Sequence, residues 1–163
     1  MQEKIKKEGL KMDRLISIKN SIFIVIAIIG GIMARLLGGA DSLLIALIIC
    51  VCIDYITGLV VALVFKSSPK TQTGGAQSNA GFKGFIKKAY IFLIIAVMNQ
   101  VDIVLGSSGL IRNATIIGFM SNECLSLVEN AGLMGIDLPP AVINSIDILK
   151  RKSESKEIKE DKE

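Results

Sequence analysis

Residues 42–65 read SLLIALIICVCIDYITGLVVALVF, 24 residues that carry a single charge, Asp54. The hydrocarbon core of a bilayer, about 30 Å thick, is crossed by roughly 20 apolar residues in helical form. A run of this length fits a membrane span better than the core of a small soluble domain, and it predicts what surrounds it. The chain is 51% hydrophobic yet 21% charged, so the two kinds of residue must be segregated into blocks, and they are. A second long run spans Ala89 to Gly106, with Asp102 near its far end. The block from Ser21 to Leu37 is shorter and carries Arg35 close to its end, where a long cationic side chain can snorkel to the headgroups. Leu110 to Asn130 is interrupted by Arg112, Glu123 and Glu129.

The basic residues set the expected topology. Of 19 Lys and Arg, six lie in residues 1–20, five in 66–88 and six from Lys150 onward, while the connectors 38–41 and 107–109 hold none. Positive charge stays on the cytoplasmic side, so both termini and the middle loop are expected there. That pattern requires four crossings. The fold expected is an all-α integral membrane protein. It has four transmembrane helices, cytoplasmic N- and C-termini, and short interfacial amphipathic helices. The chain divides into a basic cytoplasmic segment (1–20), a membrane domain (21–150) and a charged cytoplasmic tail (151–163). Within the domain, 66–88 is a cytoplasmic loop. Its stretch 66–81 is flexible by composition. It leads into an interfacial helix with Phe82, Phe85, Ile86 and Ala89 on one face and Lys83, Lys87 and Lys88 on another. Another interfacial helix follows Pro139 and Pro140, striped by Val142, Ile143, Ile146 and Leu149. The start also resembles a signal peptide cleaved near Gly38-Gly39-Ala40, but Arg35 sits awkwardly for that, and an uncleaved span is favoured.

Several chemistries drop out. Histidine is absent, which removes a Ser-His-Asp triad, a His-liganded metal and a histidine pH switch. Cys50, Cys52 and Cys124 all lie in apolar runs and fit no metal-binding spacing. No cofactor is implied. Asp54 and Asp102 differ in depth by roughly eight residues, about 12 Å of helical rise, too far for an aspartic dyad. An enzyme is not expected. The excess of positive charge reads as topology and attraction to anionic lipid headgroups. Nucleic acid is not an expected partner, because no basic patch is interleaved with aromatics and Trp is absent.

What remains informative is polar or small and lies within the spans. Helices associate in lipid through small residues and interhelical hydrogen bonds. Ser42, Ala46, Cys50, Asp54, Gly58 and Ala62 recur at a spacing of four, as do Ala114, Gly118, Asn122, Ser126 and Asn130, and Gly30, Ala34 and Gly38. These stripes serve either packing within one protomer or contact between copies. Intramembrane acids are functional candidates by default. Asp54 and Glu123 are expected at similar depth near the midplane, either neutral or facing a hydrated seam with Thr57, Asn99 and Asn122. Asp102 is expected to pair with Arg112 across the hairpin between the last two spans. Thr115, Asn122, Glu123, Ser126 and Glu129 share a face suited to line water.

Taken in order, four groups of residues carry a resemblance. They are Asp54-Tyr55-x-Thr57-Gly58-Leu59, then Gly81-Phe82-x-Gly84-Phe85-x-Lys87-Lys88, then Val101-Asp102. The fourth is Asn122-Glu123-x-Leu125-Ser126-Leu127-x-Glu129-Asn130-Ala131-Gly132, with Pro139 following. Over roughly residues 43–150 the chain resembles the toxin-secretion/phage-lysis holin family of Gram-positive bacteria and their phages. The resemblance implies a small protein of the bacterial cytoplasmic membrane that accumulates, forms homo-oligomers and opens lesions. Those lesions release a phage endolysin or, in relatives encoded beside toxins, a toxin. The competing reading is a small channel or transporter subunit with no part in lysis.

Overall fold

The computed structural model describes residues 2–146 except 72, together with 148 and 151, and side chains are described from residue 12 onward except that of 13. Most of the charged tail therefore lies outside the described residues, as do the side chains of Lys4, Lys6, Lys7 and Lys11 and the Leu149 position of the last predicted stripe. Four long helices follow one another: α1 (Gln2–Leu36), α2 (Ser42–Val60), α3 (Ser78–Leu105) and α4 (Leu110–Leu133). A single π-helical turn, Val61–Phe65, extends α2 to the end of the predicted span. Among the described residues there is no strand.

The chain separates into two compact units, one ending at Leu36 and the other beginning at Leu37. The first unit is α1, a continuous helix of 35 residues. No break separates the basic segment from the apolar one at residue 20. From Arg14 onward its side chains are exposed, apart from half-buried Ala34.

In the second unit α2 packs most extensively on α4, α3 also packs on α4, and the α2–α3 contact is narrower. Local chemistry sets the helix ends. Asp41 caps α2, its carboxylate accepting from the Leu44 N–H at 2.9 Å. Gly106, at φ +67°, takes the left-handed conformation that stops α3 and turns the chain toward α4. The predicted interfacial helix at 82–88 is not separate but forms the first turns of α3. Of the stretch 66–81, read as flexible, residues 78–81 begin α3 and the rest carries its own turn, with Ser68 N donating to Gly74 O at 2.9 Å and Thr71 Oγ1 to Gly75 O at 2.8 Å. After α4, residues 140–146 are helical, as the prolines predict.

The inward faces are layered. Leu44, Leu47 and Val51 of α2, Ile91 and Ile95 of α3, Ile116 of α4 and Leu37 form an apolar middle. On one side of it lie buried Asn99, Asp102 and Arg112, and on the other Asp54, Glu123 and Asn130. The outward faces reverse this order: Ile45, Ile49, Ile53, Ile56, Leu93, Val97, Val104 and Leu105 are exposed. Charge inside and aliphatic surface outside is a stable arrangement only against an apolar solvent. Among the described residues, three helices, Arg14–Leu36, Ser42–Phe65 and Ser78–Leu105, are long and apolar enough to cross a membrane. The 24-residue α4 is long enough, but its polar and charged residues keep it out of that class.

Candidate functional site

The polar residues inside the bundle form two separate clusters. The first joins all three helices around one ammonium group. Lys88 of α3 places Nζ 2.7 Å from Asp54 Oδ2 on α2 and also pairs with Glu123 Oε2 on α4. Asp54 Oδ1 accepts from Asn130 Nδ2 at 2.9 Å, and the same amide donates to Thr57 Oγ1 at 3.0 Å. Thr57 in turn donates back to Asp54 O at 3.1 Å. One cation and two carboxylates are thus held by side chains alone.

Asp54 and Glu123 do lie at one level, as their distances along the helices predict. Their environment differs from the prediction, which had them neutral or on a hydrated seam. The difference is Lys88, which the sequence reading placed on a solvated interfacial face with Lys83 and Lys87. Those two are exposed, whereas Lys88 turns inward, with its side chain 15% exposed. The orientation of α3 explains this. Phe82, Phe85 and Ile86 are exposed, so the inward face at this end of the helix is Gly81, Gly84 and Lys88. Tyr55 lies across these two glycines: a Cβ on either would stand 3.9 Å from the phenol ring or its oxygen, in ordinary contact. Tyr55 also meets Phe85 edge-to-face at 6.5 Å between centroids. The signal for the inward lysine was its i+4 and i+7 spacing from Gly84 and Gly81.

The second cluster lies at the end of the bundle formed by the 37–41 and 107–109 connectors. Arg112 is buried. Its Nε donates to Leu37 O at 2.6 Å, Nη2 to Gly39 O at 3.2 Å, and Nη1 to Asp41 Oδ2 at 2.6 Å and Asn113 Oδ1 at 2.9 Å. The expected side-chain pair between Asp102 and Arg112 is therefore corrected. The guanidinium goes to Asp41, and Asp102 takes the N-terminus of α4 instead. Its carboxylate accepts from the backbone N–H groups of Ile111 at 3.0 Å and Arg112 at 2.7 Å, and from Ser107 Oγ. Free N–H groups and the positive end of the helix dipole make that position favourable for an anion. Asp41, outside the spans, was missed; it serves both as cap of α2 and as partner of Arg112. The Arg112 guanidinium holds its carboxyl below the usual value of 3.8, with burial opposing and the Leu44 N–H assisting.

One predicted seam residue and one predicted packing residue move. Asn99 is buried in this second cluster, not beside Asp54 and Thr57. Gly38 is not part of a helical stripe. It lies beyond α1 at φ +81°, where a Cβ would collide with Asn99 Oδ1 and stand 2.8 Å from Arg112 Nε.

The remaining stripe residues divide. On α2, Cys50 faces Cys124 with the sulfurs 3.9 Å apart, Gly58 faces Asn130, Ala62 is buried and Ala46 half-buried. On α4, Ala114 and Ser126 are half-buried while Asn122 and Glu129 are exposed. Thr115 hydrogen-bonds its own helix at Ile111 O, 2.8 Å away. A Cβ on Gly118 or on Gly30 would meet nothing within 4 Å. Gly132 and Pro139 are exposed. Where segment 66–77 passes over α2 and α4, Lys70, Ser126, Glu129 and Asn130 line an open cleft of about 410 Å³. Among the described residues, no group of three or more Cys, Asp or Glu is placed to hold a metal ion.

Apolar helices turned outward over a charged interior mark a membrane protein of the helical class. The chain belongs to the bacteriophage holin family, which it matches over residues 31–151. It is 34% identical over 134 residues to an uncharacterized protein of Listeria innocua, covering 82% of this chain and 90% of the relative. An uncharacterized protein of Halalkalibacterium halodurans is 36% identical over 129 residues, covering 76% and 90%. A protein of Bacillus phage phi105 named as a probable holin is 28% identical over 109 residues, covering 67% of this chain and 75% of its own. No solved structure matches the chain. Membership of this family points to a membrane protein with a role in phage lysis.

Proposed function

We propose that this protein is a holin of the bacterial cytoplasmic membrane. It crosses four times with both termini inside, assembles with other copies of itself, and forms lesions that release an endolysin or a toxin. The observation that carries this reading is the shared ammonium of Lys88. A cluster with more carboxylate than cation is expensive to keep in a bilayer and is tolerated when three helices close around it. Asp54 lies 12 residues from the start of α2 and Glu123 13 from the start of α4. At ~1.5 Å per residue that is about 18–20 Å from the connector end, just past the middle of a ~30 Å core. Separating the helices would present these groups to water and line an opening with them.

The exposed side of α4 supports contact between copies. Asn122 and Glu129 are poorly solvated by lipid, and the open space at Gly118 admits the backbone of another helix. In a dense array these faces would cover one another, and rearrangement would turn them toward water. Loss of the membrane potential would favour such a step, since each charge crossing the field is worth ~2.3 kcal/mol per 100 mV. The phi105 relative named as a probable holin supports the same role.

Inducible expression with viability and dye entry followed over time tests the proposal. Abrupt collapse after a delay is expected. Asp54→Leu with Glu123→Leu should change its timing severalfold or more, and unchanged timing would remove the polar cluster from the mechanism. Unaffected growth at high expression would favour a channel or transporter subunit with no part in lysis.

A further inference from the structure

We infer that Cys50 and Cys124 form an oxidisable pair whose disulfide ties α2 to α4 at the level of the charge cluster. The two sulfurs face each other across the α2–α4 contact at 3.9 Å, and both residues are half-buried. A disulfide needs about 2.05 Å between sulfurs, so closure requires an approach of roughly 2 Å, within reach of side-chain rotation and a small shift of the helices. Cys52 is exposed and points away from the pair. The position matters: Cys50 lies one turn before Asp54 on α2, and Cys124 immediately follows Glu123 on α4. A bond there holds together the two helices whose carboxylates share Lys88.

The chemistry balances with one two-electron oxidant. Both S–H bonds break and the S–S bond forms. Two electrons and two protons pass to the oxidant; with molecular oxygen, which partitions into the hydrocarbon core, the product is hydrogen peroxide. Reduction by a dithiol restores both thiols. Formation of the bond stands on geometry alone. Its consequence, that oxidation delays opening, rests on the function proposed above.

The test uses the full-length protein in its membrane, in a Cys52→Ala background that leaves only the facing pair. Diamide serves as the oxidant, taking up the two electrons and two protons as its hydrazine. Cleavage at methionine then separates residues 34–98, which carry Cys50, from 121–134, which carry Cys124. The expected result is a monomer on a non-reducing gel whose two fragments stay joined until a reductant is added. Free fragments from that monomer, or linkage seen only in dimers, would overturn the pair whatever the protein's function. In cells, diamide should delay dye entry ~10-fold in this background and leave it unchanged when Cys50→Ala is added. A bridge that forms without any delay would overturn the latch while leaving the pair intact. A protein that never admits dye, oxidised or not, would count against the lysis reading and leave the bridge standing.

Discussion

The two polar clusters are built from similar groups and in opposite ways. At the connector end Arg112 bonds two backbone carbonyls as well as side chains, and Asp102 bonds two backbone N–H groups. Every one of those partners is fixed by the chain itself, so the cluster cannot come apart without rebuilding the loops. The cluster past the middle of the bundle has no such anchor for its charges. Lys88, Asp54 and Glu123 come from three helices and touch only through their side chains. A rigid shift of one helix separates them while leaving all three helices intact. The first arrangement suits a permanent clamp, the second a contact that breaks when the bundle opens.

If that contrast is right, the largest loss of stability follows from Arg112→Leu. It would strand two carbonyls and the Asp41 carboxylate at a packed helix end. Each carbonyl left unpaired at a buried position costs about 1–3 kcal/mol, while the 46%-exposed Asp41 side chain adds little, so a loss of about 2–5 kcal/mol is expected in denaturant unfolding from detergent. Arg112→Lys should recover little, because an ammonium cannot reproduce the fork that reaches Leu37, Gly39 and Asp41 together. Full recovery by lysine would show that charge alone matters there and would erase the contrast.

Lys88→Met comes next, with an expected loss of about 2–4 kcal/mol as Asp54 and Glu123 face each other without a cation. Here the decisive comparison is with the triple replacement Lys88→Met, Asp54→Leu, Glu123→Leu. It should restore most of the stability, since apolar groups of similar size often match a buried ion cluster. Dye entry should come early in the single variant and be altered again in the triple one. A triple variant as unstable as the single would mean that the side chains pack irreplaceably and do not act as a releasable contact.

Much of this was legible in the sequence because it depends on local chemistry. The ends of the second span, the hairpin at Gly106, the shared level of Asp54 and Glu123 and the proximity of Asp102 to Arg112 all follow from helix length and turn residues. What was hidden depends on which way each helix faces. Lys88 lies beside Lys87 and follows an apolar stripe, so periodicity alone assigns it to water. The signal against that assignment is its spacing of four and seven from Gly84 and Gly81, which share the inward face beside Tyr55. Asp41 reads as a plain helix cap, and nothing local reveals that a guanidinium 71 residues away will share it. Asn99 was placed with the wrong cluster although it lies only six residues before the end of α3, nearer the connector end than Asp54 or Thr57.

The smallest effect concerns Asp41, the one acid of the clamp outside the spans. Its carboxyl titrates below its usual value of 3.8, chiefly through the hydrogen bond from Arg112. A folded-state pKa below the unfolded one means that the ionised carboxylate stabilises the fold above that unfolded value. The contribution then disappears as pH falls through the lower, folded value. Asp41→Asn keeps a good helix cap and removes only the charge. Because the Asp41 side chain is 46% exposed, solvent screens the pair, and a difference of no more than about 1 kcal/mol is expected near pH 7. Unfolding curves of the two proteins in detergent should therefore be separated at neutral pH and converge in acid below 3.8, as the wild-type carboxyl gains its proton. A gap that persisted at the acid end would assign the loss to altered packing at the connector, and the charge of Asp41 would then be incidental to the clamp.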